Sequence, residues 1–549
     1  MINKTLTLTL LFSLFSASVY TNNLYVNLNG YHTPQGQLSQ FSAFYINHGK
    51  IEATGTKLTL IKRYPNANII DLMGKTVLPG LIDGHGHVAG LGFNLQRVSL
   101  RNSPSEQASV ATVVKFAKEN PNLEWIRGRG WNQVLWQNKS FPTKASLSEK
   151  ISNRPVWLRR VDGHAGWANT KALTIAGINR NTVSPSGGEI VKDEHGEPTG
   201  ILIDNAMDLL ERHIPKNSVN DIKLAINQAS KHLHKVGITS VHDAGIDYLT
   251  YQAYQELAQN NNMPLRIYAM INAGSSGYNK MLYAGKTITP DGMLKISSVK
   301  ISADGALGSR GAAMLEPYSD DPSNSGLLLH SPAQLEKYMK RAIEHGFQVN
   351  VHAIGDKANH LALNYFEIFN QDSDSRALRH RIEHAQIVAV DDLPRFKKTG
   401  VLPSMQPTHA TSDMNMAEDR VGHARIKGAY AWKSLLDSGV KIVSGSDFPV
   451  EYANPFYGLH AAVSRQDRHN TPKQGWLSHE AMTLPQALNS FTLDAAYGAH
   501  QEDIIGSLEP GKWADFIVID LDIFANAPSQ IWQANVLQTW IAGKRVYQK

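Results

Sequence analysis

The 549-residue sequence contains no cysteine. Disulfides, a thiolate nucleophile and a cysteine-ligated metal are therefore excluded, so a metal site here must use histidines, carboxylates or modified side chains. The sequence also lacks a long basic run or a basic stripe interleaved with aromatic residues. Its formal net charge of +6 is therefore a general surface property, which argues against nucleic-acid binding. The chain is longer than one ordinary domain and can bury a large core.

Long hydrophobic runs are scarce, and the one at the N-terminus is short. Lys4 gives a positive start, about fourteen mostly apolar residues follow, and small residues come next. The run is too short to span a membrane as a helix, and a lipoprotein cleavage site would need a cysteine. We predict that residues 1–21 are a signal peptide and that the protein is periplasmic or secreted in a bacterium. A buried first strand or helix is the alternative. No other segment resembles a membrane span.

Short alternating stretches with glycine-centred turns occur at both ends of the remaining chain. "LYVNLNG" and "SAFYINHGKIEATG" lie near the start, and "WADFIVIDLD" and "VLQTWIAGKRVYQK" lie near the end. Such patterns are typical of β-strands. The sequence therefore predicts one composite β-sandwich domain made from residues 22–80 and 500–549.

Between these ends, apolar strands alternate with amphipathic helices, which predicts a parallel (β/α)8 barrel over residues 81–499. The eight candidate strands are "TVLPGLIDGHGH", "GITSVHDAG", "LRIYAMI", "LKISSVKISADG", "FQVNVHAIGD", "LRHRIEHAQ", "VLPSMQPTHA" and "VKIVSGSDFPV". The first two are separated by about 150 residues, whereas a βαβ unit needs about 30. We therefore predict an inserted subdomain at about residues 95–235.

Polar residues occur late in several of these strands, where a barrel has its active face. In an extended segment alternate side chains share a face, so the two histidines of "GHGH" point the same way. Taken singly, each candidate also has an ordinary structural explanation, such as a satisfied core histidine, an ion-paired lysine or a turn-capping aspartate. Their order on separate strands favours one shared metal site. The candidates are His85, His87, Lys300, His352, His384 and Asp447.

Lys300 is the unusual member of this set. A buried, unpaired cation is costly, and a cation beside metal-bound imidazoles would cost more. The conflict disappears if the Lys300 amine has reacted with carbon dioxide to form a carbamate, an anionic oxygen ligand that can bridge two divalent ions.

The chain resembles the amidohydrolase superfamily in its motifs "PGLIDGHGH", "VHAIGD", "RIEHAQ" and "GSDFPV". The segments "WIRGRGWNQ", "DGHAGWANTKAL" and "VKISADGALGSRGA" are similar to those of the YtcJ-like branch, which includes N-substituted formamide deformylases. The resemblance covers nearly everything after the leader. It implies a (β/α)8 TIM barrel of the metal-dependent hydrolase type, a β-sandwich from both termini, and a binuclear site that is usually zinc.

The resemblance also implies a role for each ligand. His85 and His87 are expected to bind the more buried ion, carboxylated Lys300 to bridge, and His352 with His384 to hold the second ion. Asp447 matches the family's base, which takes a proton from the metal-activated hydroxide and gives it to the leaving amine. Zinc suits these ligands, although manganese, iron or cobalt would also. Gly84 and Gly86 replace bulkier residues of other members, which predicts a looser backbone.

The predicted insertion and the loop after Lys300 supply further candidates. His164 in "VDGHAGWAN" is a catalytic and substrate-binding candidate, although it could instead cap a turn. Trp131 could form a wall for an aromatic amide, with a place in the subdomain core as the alternative. Arg310 could reach the substrate, or it could form a loop salt bridge. His242 is expected near the site but not as a ligand.

The leading interpretation is a hydrolase of carbon–nitrogen bonds other than peptide bonds, acting on a small, possibly aromatic N-substituted amide or formamide. Alternatives are a metal-dependent deaminase or esterase of the same superfamily, or a relative that binds small molecules without turnover. Deaminases of the superfamily often lack the bridging lysine, so Lys300 argues against the first alternative. The expected partner is the small-molecule amide, with no nucleic acid and no membrane span once the leader is removed. A homodimer is common among such relatives.

Overall fold

The computed structural model describes residues 22–101, 103–133, 136–160, 165–185, 188–308 and 310–549. The predicted leader, residues 1–21, lies outside them. The strands are β1 Asn23–His32, β2 Ser39–Asn47, β3 Lys50–Gly55, β4 Asn68–Pro79, β5 Leu81–Gly86, β6 Val98–Ser99, β7 Ile126–Trp131, β8 Val156–Arg160, β9 Ala165–Ala168, β10 Gly188–Lys192, β11 Pro198–Asp204, β12 Ile238–Ile246, β13 Arg266–Asn272, β14 Thr287–Ile288, β15 Leu294–Ser302, β16 Gln348–Ala353, β17 Arg381–His384, β18 Leu402–Met405, β19 Val443–Ser444, β20 Phe516–Ile519, β21 Val536–Ile541 and β22 Lys544–Gln548. The α-helices are α1 Lys57–Arg63, α2 Val88–Leu95, α3 Glu106–Glu119, α4 Lys144–Lys150, α5 Thr170–Ile175, α6 Met207–Glu211, α7 Val219–Lys235, α8 Tyr248–Gln259, α9 Tyr278–Tyr283, α10 Pro332–Glu344, α11 Asp356–Phe369, α12 Ser373–Ala377, α13 Leu393–Thr399, α14 Pro407–Asp413, α15 Ala417–Arg425, α16 Trp432–Asp437, α17 Pro455–Ser464, α18 Leu484–Ser490 and α19 Leu493–Gly498.

Strands from the two ends of the chain form one seven-stranded sheet, in the order β22-β21-β20-β4-β1-β2-β3. The sheet curls strongly around its own core. Tyr25 in β1 and Trp540 in β21 are three strands apart, a separation of about 14 Å in a flat sheet. Their ring centroids lie only 5.7 Å apart. The described strands thus make one continuous curled sheet, where the sequence predicted a sandwich.

Eight parallel strands form the central barrel, in the order β5-β12-β13-β15-β16-β17-β18-β19. A parallel bridge between Gly86 and Phe448 joins the chain just beyond the last strand to the first. Each of the eight predicted strand segments contributes one of these strands, so the predicted TIM barrel is confirmed. The first predicted segment divides at Gly80, with β4 in the terminal sheet and β5 in the barrel.

The helices cover the barrel through faces that the sequence sets locally. In α10 the residues Leu335, Met339 and Ala342 are buried at helical spacing, and their face packs on the barrel. Ser331 begins this helix, because its side chain accepts a hydrogen bond from the backbone N–H of Gln334. In the described part of the chain, no helix is long and apolar enough to cross a membrane.

The chain between β5 and β12 carries a second unit with its own six-stranded sheet, in the order β10-β11-β9-β8-β7-β6. Its main apolar cluster includes Trp131, Trp136 and Trp167 and is separate from the barrel core. The sequence placed α7 within this insertion. The buried face of α7, which includes Ile226 and Leu233, instead belongs to the barrel core, so the barrel resumes before residue 235.

Candidate active site

The six predicted metal ligands occupy one edge of the barrel, at or just beyond the C-terminal ends of its strands. His85 lies in β5 with His87 directly after it, and Asp447 follows β19. The remaining three ligands, Lys300, His352 and His384, lie in β15, β16 and β17. Single ligand atoms of His85, His384 and Asp447 lie within 4.8 Å of one another.

His85 is buried and oriented by a carboxylate. Its Nδ1–H donates a hydrogen bond to Glu383, so the lone pair of Nε2 faces the centre of the site. Lys300 Nζ lies 3.1 Å from this Nε2 atom, and Asp447 Oδ1 lies 3.7 Å from it. A carboxylate behind a histidine whose free nitrogen faces other donors is a common arrangement in metal sites.

His384 is held in a similar way by an amide. Its Nδ1 lies 2.8 Å from Gln406 Oε1, which can only accept, so the lone pair of His384 belongs to Nε2. The ring centroid of His384 lies 4.7 Å from that of His85 and 4.5 Å from that of His352. His352 Nε2 is buried and makes no hydrogen bond in the described part of the chain, with Asp304 Oδ1 3.5 Å away. Imidazole nitrogens of this kind suit a divalent cation as ligands.

Asp447 is fixed by its backbone. Its N–H donates to His85 O over 2.7 Å, and the adjacent Ser446 donates its own N–H and hydroxyl to buried Asp83. Asp447 has a φ of 60° and His384 a φ of 76°. Non-glycine residues rarely adopt such angles, and those that do cluster at functional sites. The side chain of Asp447 thus approaches His87, with 3.1 Å between Oδ1 and His87 Nε2.

Burial sets the charge states around this cluster. It lowers the pKa of Lys300 to about 8, and together with the nearby lysine it lowers the pKa of His85 to about 4. Burial alone would raise the pKa of Asp447, but the hydrogen bond from His87 and the other nearby histidines outweigh it and hold that pKa below its usual range. Near neutral pH, the Asp447 carboxylate is therefore ionised and the buried His85 imidazole is neutral.

Gly84 and Gly86 do not loosen the backbone, contrary to the prediction. A Cβ on Gly84 would lie 2.4 Å from Val443 Cγ1, and one on Gly86 would lie 2.4 Å from Phe448 Cε1. Both glycines therefore let β5 approach the segment that carries Asp447. The absence of side chains here allows close packing where the first barrel strand meets the last.

The residues that support the ligands were not predicted from the sequence. Arg381 and Glu383 alternate along β17, both fully buried, with 2.9 Å between Arg381 Nε and Glu383 Oε1. The same guanidinium reaches His242 Nδ1 at 2.9 Å, so His242 belongs to this support network. His409 was also missed, although its Nε2 lies 3.6 Å from Asp447 Oδ2. The available signal was alternation in "RIEH" and a histidine just after the seventh strand.

Two of the three substrate-binding candidates lie in the described structure, and neither of them joins the cluster. Trp131 is fully buried in the insertion core and donates its indole N–H to Leu158 O, so it offers no wall to a ligand. Arg310 forms an ion pair with Asp320, with 2.9 Å between Nη2 and Oδ2, as in the alternative that the sequence left open. His164 lies outside the described residues.

Residues 68–547 match the model of the amidohydrolase family. The chain belongs to this family. It is similar to the YtcJ protein of Bacillus subtilis, at 32% identity over 92% of this chain and 96% of that protein. It is also 26% identical to the N-substituted formamide deformylase of Arthrobacter pascens, over 92% of this chain and 95% of that enzyme. The resemblance to this branch of amidohydrolases is thus confirmed.

The fold of this amidohydrolase also matches a solved structure closely. A metal-dependent hydrolase from Pyrococcus furiosus superposes with a TM-score of 0.75 at 30% identity, covering 91% of this chain and 99% of that one. Together with the barrel and the His/Asp cluster, this places the chain among metal-dependent hydrolases.

Proposed function

We propose that this amidohydrolase cleaves the carbon–nitrogen bond of a small N-substituted amide or formamide. The observation that carries the proposal is the convergence of His85, His384 and Asp447 within 4.8 Å at the barrel mouth. Amide hydrolysis needs an activated water, a polarised carbonyl and a proton for the leaving amine. The name of the Arthrobacter pascens relative supports a formamide as the substrate class.

The donor set fits divalent metal ions, with zinc as our first choice. A bound ion would supply Lewis acidity, which polarises a carbonyl oxygen and activates water. Its ligands would come from two histidine pairs, one lysine and one aspartate. These are His85, His87, Lys300, His352, His384 and Asp447.

We assign the proton transfers to Asp447. The carboxylate takes a proton as the water oxygen bonds to the amide carbon, and it returns that proton to nitrogen as the C–N bond breaks. The products are a carboxylic acid and an amine. The backbone bond to His85 and the contact with His87 hold Oδ1 in place for both transfers.

We further propose that Lys300 carries a carboxylate on Nζ. Its amine nitrogen would bond to the carbon of carbon dioxide and lose a proton, giving an anionic carbamate. This would replace a buried cation with oxygen ligands. Intact-protein mass and electron density at Nζ would test the modification directly.

The proposed activity is tested with protein reconstituted with zinc and a panel of N-formyl and N-acyl amines, with amine release as the readout. We expect Asp447→Asn to retain metal and lose at least about a hundredfold in kcat, since general acid–base catalysis contributes that much. Asp374→Asn, at an exposed position of α12, is the matched control and should keep full activity. Full turnover by metal-loaded Asp447→Asn would refute the assignment of Asp447.

A further inference from the structure

A cavity of about 840 Å³ opens beside the candidate metal-ligand cluster, between the barrel mouth and the insertion. Two of its lining residues also lie beside the cluster. His87 contacts Asp447, and Gly245 lies so close to Lys300 that a Cβ on it would be 3.7 Å from Lys300 Cγ. A molecule in this cavity would therefore lie next to the proposed reaction centre.

The insertion gives this cavity a strongly basic wall. Arg127 and Arg129 are two residues apart in β7 and so share one face of the sheet. Arg159 in β8 is the direct cross-strand neighbour of Arg129, and Arg97 precedes β6 on the other side of β7. With Lys216, five cationic side chains line the cavity.

Among the described residues, two of these guanidinium groups have no counter-ion at contact distance. Arg159 is taken by Glu211, whereas Arg97 and Arg127 make no hydrogen bond or ion pair within the described residues. Asp221 is near enough to Arg127 to affect its pKa, but its carboxylate accepts the N–H and hydroxyl of Ser218.

The other acidic residues of the cavity are also committed to local structure. Asp243 accepts hydrogen bonds from the Tyr254 hydroxyl and the Val88 N–H. Asp247 accepts the Thr250 N–H at the start of α8. Neither carboxylate is placed to neutralise the basic wall.

Like charges on neighbouring strands destabilise a sheet. Partial burial and the adjacent arginines, Arg127 first among them, lower the pKa of Arg97, and the nearby Glu211 carboxylate offsets only part of this effect. An anion that accepts hydrogen bonds from two guanidinium groups would relieve this repulsion.

We propose that the amide substrate carries an oxyanion group, a carboxylate or a phosphate, which Arg97 and Arg127 bind while the amide lies at the metal cluster. This inference rests on the proposed amide hydrolysis. Apolar lining residues such as Phe93, Ile222 and Leu249 would contact the carbon skeleton between the two ends.

The test compares amides that differ only in the anion. N-formylphenylalanine is paired with N-formylphenethylamine, which lacks the carboxylate, and N-formyl-O-phosphoethanolamine is paired with N-formylethanolamine. In at least one pair, we expect kcat/KM to favour the anion at least about tenfold, chiefly through KM, and the preference to fall as salt is added. The preferred pair identifies the oxyanion. Equal or better turnover of both neutral amides would overturn the proposal.

Arg97→Gln/Arg127→Gln should bring the anion-to-neutral ratio close to one, and Arg127→Lys should retain part of it. Arg180→Gln changes an exposed arginine of the insertion that pairs with Glu197 outside the cavity, and it should leave the ratio unchanged. Circular dichroism checks folding. A general structural defect would lower both rates together, so a folded double variant with an unchanged ratio would also overturn the proposal.

The inference and the proposed function fail separately. If zinc-loaded protein hydrolyses none of the four amides, amide hydrolysis fails for this panel, and calorimetry with 3-phenylpropanoate and inorganic phosphate tests the basic wall alone. Binding that the double variant loses would support the oxyanion site. No binding of either probe to the wild-type protein would overturn it.

Discussion

The barrel mouth and the insertion face the same cavity, but they differ in how far their polar side chains are held by hydrogen bonds within the protein. At the barrel edge, His85 and His384 each have a buried acceptor behind them, Glu383 and Gln406. In the insertion, Arg97 and Arg127 face the cavity without a contact partner among the described residues. The barrel fixes geometry in advance, whereas the insertion leaves charge available for a ligand. We infer that chemistry and selectivity are carried by separate parts of the chain.

The largest expected effect comes from breaking the barrel's support. Glu383→Gln would leave the fully buried Arg381 without its carboxylate and His85 without its anionic acceptor. Removing one partner of a buried ion pair typically costs about 3–5 kcal/mol. We expect a large drop in the free energy of unfolding, measured by denaturant titration, and loss of bound metal by elemental analysis.

Glu367→Gln is the matched control, because this carboxylate forms partly exposed ion pairs with Arg395 and Lys398. Its loss should cost far less than the loss of Glu383, because exposed ion pairs contribute little to stability. If Glu383→Gln retained wild-type metal content and stability, the barrel edge would be no more preorganised than the insertion. That result would contradict the proposed difference between the two regions.

Acid should weaken the barrel before the insertion. Burial lowers the pKa of His380 to about 3 and that of His234 to about 4, and both belong to the barrel. A histidine in the unfolded chain has a pKa of about 6.5. Below that pH the unfolded chain gains protons that the folded barrel does not, so stability is lost as the pH falls from about 6.5 towards 4. Each histidine contributes up to about 1.4 kcal/mol per pH unit.

The buried polar residues of the described insertion between β6 and α6 are Ser109 and Asn169, neither of which titrates in this range. Hydrogen exchange followed by mass spectrometry should therefore show β16 and β17 losing protection before β7 and β8 as the pH is lowered. His380→Gln should reduce the acid sensitivity of the barrel, and His195→Gln, at an exposed position, should not. Earlier loss of protection in the insertion would contradict this interpretation.

The sequence predicted the barrel side of this comparison better than the insertion side. Strand alternation and turn residues are local signals, so the eight strands and the order of the polar residues along them could be read directly. Glu383 was missed because its role depends on His85, almost 300 positions away, and on a neighbouring buried arginine. The role of Trp131 was ambiguous because an aromatic residue suits a hydrophobic core as well as the wall of a ligand site. Only its burial in the structure distinguishes the two roles. The basic wall depends on the register of β7 with β8, which sets Arg129 beside Arg159.

The smallest expected effect distinguishes the two kinds of arginine. Arg310 is partly exposed and already paired with Asp320, in the loop after β15. Arg310→Gln should therefore change the free energy of unfolding only slightly, as for other surface ion pairs. Arg310→Gln should also leave the anion preference of the enzyme intact, because the Arg310 guanidinium is already neutralised by the Asp320 carboxylate. The measurement is the kcat/KM ratio for N-formylphenylalanine and N-formylphenethylamine. If Arg310→Gln abolished the anion preference, the anion would be bound by the barrel loop and not by the insertion. Substrate selectivity and catalysis would then both belong to the barrel.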